Sequence, residues 1–164
     1  MDELTSQTDV LMHQYEMMKR TRESLFQMCE SMSPTAYVQP VEALGGDSIR
    51  DLHVHVTDCY RVWLGVRGLG RSIPKLRPQS IQDVQKMRAL FEKTDFLVHE
   101  FLHSFQDGWN PEIQASWMSD TAQSTELWIF THCITHEFHH RGQITKIARL
   151  LGTIPPKMNL SKIK

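Results

Sequence analysis

HCITHEFHHRGQITKIARLLG, His132 to Gly152, is helical by pattern and carries three histidines four residues apart. Trp128, Ile129, Cys133, Ile134, Ile144, Ile147, Ala148 and Leu151 recur at the three- and four-residue spacing of an amphipathic helix. Side chains at i and i+4 stand one above the other on a helix, so His132, His136 and His140 form a column beside the face that must be buried. Imidazoles stacked there need partners for their ring nitrogens once water is removed. A metal ion is the simplest common partner, because imidazole is the commonest protein ligand for one. HEFHH, His136 to His140, also fits the HExxH zinc pattern, in which Glu137 would be a general base. That fit reads as accidental: a protease of that kind takes a further ligand downstream, and after His140 the chain holds no His, Asp or Glu.

Upstream, three more helical stripes are expected. Leu11, Tyr15, Met18, Leu25, Met28 and Cys29 line a helix from about Leu4 to Ser31, with Lys19, Arg20, Arg22 and Glu23 outside the stripe. Ser33-Pro34 should end it, and Pro40 should keep the connection extended. Asp47-Ser48 caps a second helix reaching about Arg67, striped by Ile49, Leu52, Val56, Cys59, Trp63 and Val66. Gly68, Gly70, Pro74 and Pro78 predict a loop, and Ser80 a cap for a third helix from Ile81 to Phe105. Gln106 to Gln123, with Gly108, Pro111, Trp109 and Trp117, reads as an irregular crossover whose tryptophans cover a pocket mouth or line a dimer. Ser124 and Glu126 should open the last helix, and Gly152 and Pro155-Pro156 close it. The strand signal is too weak to make a sheet. The expectation is all-α: one four-helix-bundle domain over residues 1–164.

A catalytic metal site commonly takes three protein ligands, and a bundle draws them from facing helices. The second helix offers His53 and His55. His55 shares the phase of Leu52, Val56, Cys59 and Trp63 and is the inward candidate. His53 falls with Thr57, Tyr60 and Leu64 and is expected at solvent or a helix boundary. A metal site at His55, His136 and His140 and a set of core histidines remain alternatives at this point. His13, His99 and His103 read as core or exposed residues. The net charge of −1 gives no electrostatic case for nucleic acid or anionic membrane, and no apolar run approaches the roughly 18 residues of a membrane span. Cys29, Cys59 and Cys133 are odd in number and widely spaced, as reduced, buried thiols would be. With the polar, acidic opening MDELTSQTDV they give a cytoplasmic expectation.

Two stretches together resemble a known family. SIRDLHVHVTDCYRVWL, Ser48 to Leu64, carries H-x-x-[DE]-x(4)-W-L, and the last helix carries H-x(3)-H-R-G-Q before a Leu-Gly ending. Both are similar to the DinB/YfiT-like superfamily of damage-inducible proteins. The resemblance implies an up-down-down-up four-helix bundle with irregular crossover loops. It also implies one divalent metal, nickel or zinc, held by His55, His136 and His140. His132 matches a histidine seen in many relatives and is open to two roles, support of a ligand or alternative ligation. Asp58 would orient His55, and Glu137 would support the site or pair with His139, which could instead face a neighbouring chain. Gly142 would admit a close backbone or simply be relaxed. Relatives often carry Trp and Asn in the first helix, where this chain reads YEMMKRTRESLF.

Characterised relatives include bacillithiol S-transferases and a mycothiol-dependent isomerase. The leading functional expectation is therefore a metal-dependent thiol S-transferase, joining a low-molecular-weight thiol to a small electrophilic substrate. A metal-assisted hydrolase is the runner-up, and a non-catalytic, metal-binding stress-response module is the rival. Relatives commonly form homodimers. Cys133, at i+3 from His136, is a soft ligand or, more simply, core.

Overall fold

The computed structural model describes residues 6–104, 113–114, 123–124, 126–157 and 159–160. Four long helices carry the core, and the first three begin where a polar side chain accepts from free backbone amides. Helix α1 spans Gln7–Ser31; Ser6 Oγ accepts from Asp9 N while the Asp9 carboxylate accepts from Ser6 N, a reciprocal cap. Ser33-Pro34 both ends α1 and starts a short helix α2, Pro34–Val38, with proline in its first turn, where no donor is missed. Helix α3, Ile49–Tyr60, starts on the expected Ser48, paired reciprocally with Asp51. It continues as a π-helical segment, Arg61–Gly68.

Helix α4, Val84–Ser104, starts later than expected. Pro78–Ser80 is a single 3₁₀ turn, and Asp83, not Ser80, accepts from Lys86 N at 2.8 Å. Helix α5 spans Glu126–Leu150; Ser124 precedes it in a two-residue ribbon, β1 (Ile113–Gln114) antiparallel to β2 (Gln123–Ser124). Trp109 and Trp117 lie outside the described residues. Gly152, at φ 85°, ends α5 as expected: Thr153 N reaches Ala148 O and Gly152 N reaches Arg149 O.

Side-chain pairs fix the helix directions. Arg88 reaches Glu23 and Glu30, and His99 lies by Glu16, so α1 and α4 are antiparallel. His53 meets Phe91 while Gly68 abuts Phe101, so α3 and its π segment run parallel to α4. His55 faces His136 and Trp63 faces Trp128, so α3 and α5 are antiparallel. Tyr15 meets Phe130 and Arg22 meets Glu137, so α1 and α5 are parallel. The result is an all-α, up-down-down-up bundle in the ring order α1, α4, α3, α5. Tyr15, Leu25, Tyr60, Leu64, Phe101, Leu102, Phe130 and Ile144 fill its axis, fully or almost fully buried. Each such side chain contributes about 1.5–3 kcal/mol by leaving water. Among the described residues no helix is long and apolar enough to cross a membrane.

Gly68 has a packing reason. A Cβ there would lie 2.5 Å from the Phe101 ring, so the π segment sits hard against α4. Gly142 has none: among the described residues nothing approaches within 4 Å of where its Cβ would be.

Candidate metal centre

Helix α3 presents His55 toward α5, and α5 presents His136 and His140 one turn apart toward α3. The three rings meet through their Nε2 atoms. His136 Nε2 lies 3.2 Å from His55 Nε2 and 3.2 Å from His140 Nε2. One ligand atom from each of the three residues lies within 4.8 Å of the others, a grouping compact enough for one metal ion.

The donor set fits such an ion. Tetrahedral zinc–imidazole bonds of about 2.0–2.1 Å put ligand nitrogens about 3.3 Å apart, close to the spacing seen here. Metal binding also requires neutral imidazole with the right tautomer. The Gln143 Oε1 lies 2.6 Å from His140 Nδ1; as the acceptor, it holds the proton there and turns the Nε2 lone pair inward. Burial, then the neighbouring His136 and His55, lower the His140 pKa to about 4 against the opposing pull of Gln143, so the ring is neutral at physiological pH. Gln143 was visible in the sequence only as the last letter of a signature; its role needs the three-residue helical offset that brings amide to ring.

Helical phase predicts His55 inward and His53 at solvent, and the structure has the reverse. His55 is exposed, at the rim of the bundle, while Leu52, Val56 and Cys59 beside it are buried. His53, expected at solvent, is buried between Phe26 and Phe91, with Nδ1 3.2 Å from the Tyr37 hydroxyl. Burial lowers its pKa to about 3, so it is a neutral core histidine. The short helix α2 brings Tyr37 over α3 and makes that side of α3 interior.

Glu137 is not a base in waiting. Its carboxylate accepts from Arg22 Nε (2.8 Å) and Nη2 (2.9 Å), from Arg141 Nη2 (2.6 Å) and from the Tyr60 hydroxyl (2.7 Å). Burial alone would raise its pKa, but Arg22 and Arg141 outweigh burial and hold the carboxyl far below the usual range. The HEFHH match to a protease motif is thereby excluded on chemistry, and so is a Glu137–His139 pair. Arg22, expected outside the α1 stripe, is buried; it also reaches Asp95 at 2.7 Å, and the Tyr15 hydroxyl bonds the same carboxylate. Arg141 donates to Thr21 Oγ1 and to Met18 O.

Asp58 does not orient His55. It accepts from Arg61 Nη1 at 2.7 Å, one turn on along the same helix. His132 stands outside the three-histidine cluster: its ring stacks on Trp128 with the planes 2° apart, and Trp63 lies 4.6 Å away. His139 is exposed beside the His140 ring. His99 and His103 line an open hollow of about 490 Å³ on the α1–α4 side, with Lys19, Glu92, Asp95 and Phe96.

Cys59 on α3 and Cys133 on α5 are buried free thiols. The neighbouring Cys133 first, then His136, favours the Cys59 thiolate against burial and lowers its pKa. Burial pushes Cys133 well upward, which makes it the proton holder of the pair.

No curated protein matches the chain. The model of the DinB family matches residues 4–164, with the three-histidine cluster and the bundle inside the matched span, and the chain belongs to that family.

Proposed function

We propose that the chain is a metal-dependent enzyme whose site is His55, His136 and His140, and that it transfers a low-molecular-weight thiol to a small electrophile. The observation that carries this reading is the convergence of three imidazole Nε2 atoms, that of His136 3.2 Å from each of the other two, on a rim where His55 is open to solvent. A divalent ion such as zinc or nickel would supply a Lewis acid there, able to lower the pKa of a thiol that reaches it.

The chain's own residues favour thiol transfer over hydrolysis. Activation of water is helped by a carboxylate able to take its proton. Glu137 is saturated by two arginines and a tyrosine, and Asp58 is paired with Arg61. A thiol is acidic enough to lose its proton to solvent without such a base. Gln143 orients His140, and Arg141 and Arg22 keep Glu137 ionised and away from the donors. The same reading carries a homodimer and a reducing, cytoplasmic setting as further proposals. Phe96, Leu127 and Phe138 stand exposed as candidate contacts, and Cys29, Cys59 and Cys133 are free thiols.

The test is elemental analysis of untagged, unchelated protein beside His55→Ala and His136→Ala, followed by a thiol-transfer screen on the loaded form. About one equivalent of zinc or nickel, absent from both variants, is the expected result. Metal that binds neither as purified nor after reconstitution, or that persists in both variants, would overturn the site and leave a non-catalytic module as the reading.

A further inference from the structure

The outward stripe of α3 and its π segment runs through His55, Asp58, Val62 and Val66, each exposed or half-buried. A histidine and an aspartate suit a surface stripe, and the two valines after them do not. Val62 is 38 % exposed and Val66 39 %, and a hollow of about 240 Å³ opens over both. Ile73 and Pro74 form its far wall, and Asp58, Arg61 and Lys75 its polar margin. Single exposed valines are ordinary on a protein surface; a pair that floors a walled hollow with a cationic edge is not.

The loop after the π segment builds this hollow and is pinned in place. Arg71 N donates to Gly65 O at 3.0 Å, and Arg61 Nη2 donates to Pro74 O at 2.6 Å. Gly65 lets the loop lie this close, because a Cβ there would run into the Ile73 side chain. The Arg61 side chain is only 13 % exposed and its Nη1 donates to Asp58, so these two margin charges are fixed and cancel. What remains is positive. From Arg61 to Gln82 the chain carries five cations and no carboxylate. Arg71 is paired with Glu100, while Lys75, beside the hollow, has no ion-pair partner among the described residues.

We propose that this hollow binds a small amphipathic acid, with its apolar body on Val62 and Val66 and its carboxylate at Lys75. Its volume sets the size of the ligand. About 240 Å³ falls below the roughly 300–1,000 Å³ of sites for drug-sized molecules, so the body has only a few carbons. His55 heads the same stripe, two turns or about 10 Å of helix rise from Val62. An acid seated here lies along an approach to the three-histidine cluster, which gives the thiol-transfer reading its class of electrophile, a short-chain acid. That link rests on the reading above; the binding itself needs no metal.

NMR titration of the chain's amide shifts tests this with hexanoate and hexanol, which share a body and differ in charge. Wild type and Lys75→Met are compared, each metal-free and zinc-loaded, with metal content measured on every sample. In wild type, hexanoate should move the amides around Val62, Val66, Ile73 and Lys75. It should bind about two- to fivefold tighter than hexanol, the range of an exposed ion pair. Lys75→Met, a change at an exposed side chain, should bind the two probes alike. No shift in that region, equal binding of both probes to wild type, or a hexanoate preference that survives Lys75→Met overturns the site. Shifts of the same amides on dilution without probe assign the hollow to a second copy of the chain and overturn it too. Binding to protein that takes up no metal supports the hollow and removes its link to the reaction. Metal taken up without hexanoate binding sinks the hollow alone.

Discussion

Glu137 has the sequence position of a catalytic base and the surroundings of a keystone. Two buried guanidiniums and a tyrosine hydroxyl converge on it from three helices. Glutamine keeps the shape but removes the charge they face, and breaking a buried ion pair costs about 3–5 kcal/mol. Glu137→Gln should therefore lower the urea midpoint sharply. A variant as stable as wild type but inactive would return Glu137 to a chemical role. The sequence could not disclose this pairing, because Arg22 and Glu137 lie 115 residues apart and only the docked bundle joins them. The metal candidates were legible for the opposite reason. His136 and His140 are neighbours by helical geometry alone, and His55 follows from the resemblance. What failed was the premise that a ligand must face inward: the site opens on the rim, so the exposed histidine is the candidate and the buried His53 is packing.

At the scale of elements, the α1–α4 seam is tied by one residue. Arg88 donates to Glu23 at 2.7 and 2.9 Å and to Glu30 at 2.6 and 3.1 Å, and its guanidinium lies 4.8 Å over Phe26. Hydrogen bonds from Arg88 hold both carboxyls below their ordinary pKa. Their contribution is therefore full above the unfolded carboxylate value and is lost as pH falls through the lower, folded values. Arg88→Met should melt below wild type at pH 7, and the gap should close in acid below about pH 4. A gap independent of pH would assign the loss to packing on Phe26. The helices themselves were legible to within a few residues, through Ser48 and Gly152. Their fine structure was not. Ser80 and Asp83 are equally good caps in sequence, and the preceding Pro78 turn decides between them. A π continuation of α3 leaves no mark in a periodicity read over two turns.

For the whole molecule, a ligand that binds the folded bundle and not the unfolded chain must raise its melting temperature. Zinc or nickel at a hundredfold excess over its dissociation constant adds about 2.7 kcal/mol. Calorimetric scans should show wild type rising with metal and falling back with chelator, while His136→Ala stays level in both. Equal shifts in both proteins would place the metal elsewhere. The Glu137 centre bears on a different question, that of level. Greasy stripes pack nearly as well when one helix slides along its neighbours, since apolar faces are much alike from turn to turn. A slide of one turn, about 5.4 Å, would carry Glu137 away from Arg22 on α1 and Tyr60 on α3 and leave charge buried without its partner. The carboxylate thus marks the height at which three helices dock, and a variant with these charges replaced by apolar residues is expected to keep its bundle and blur that height.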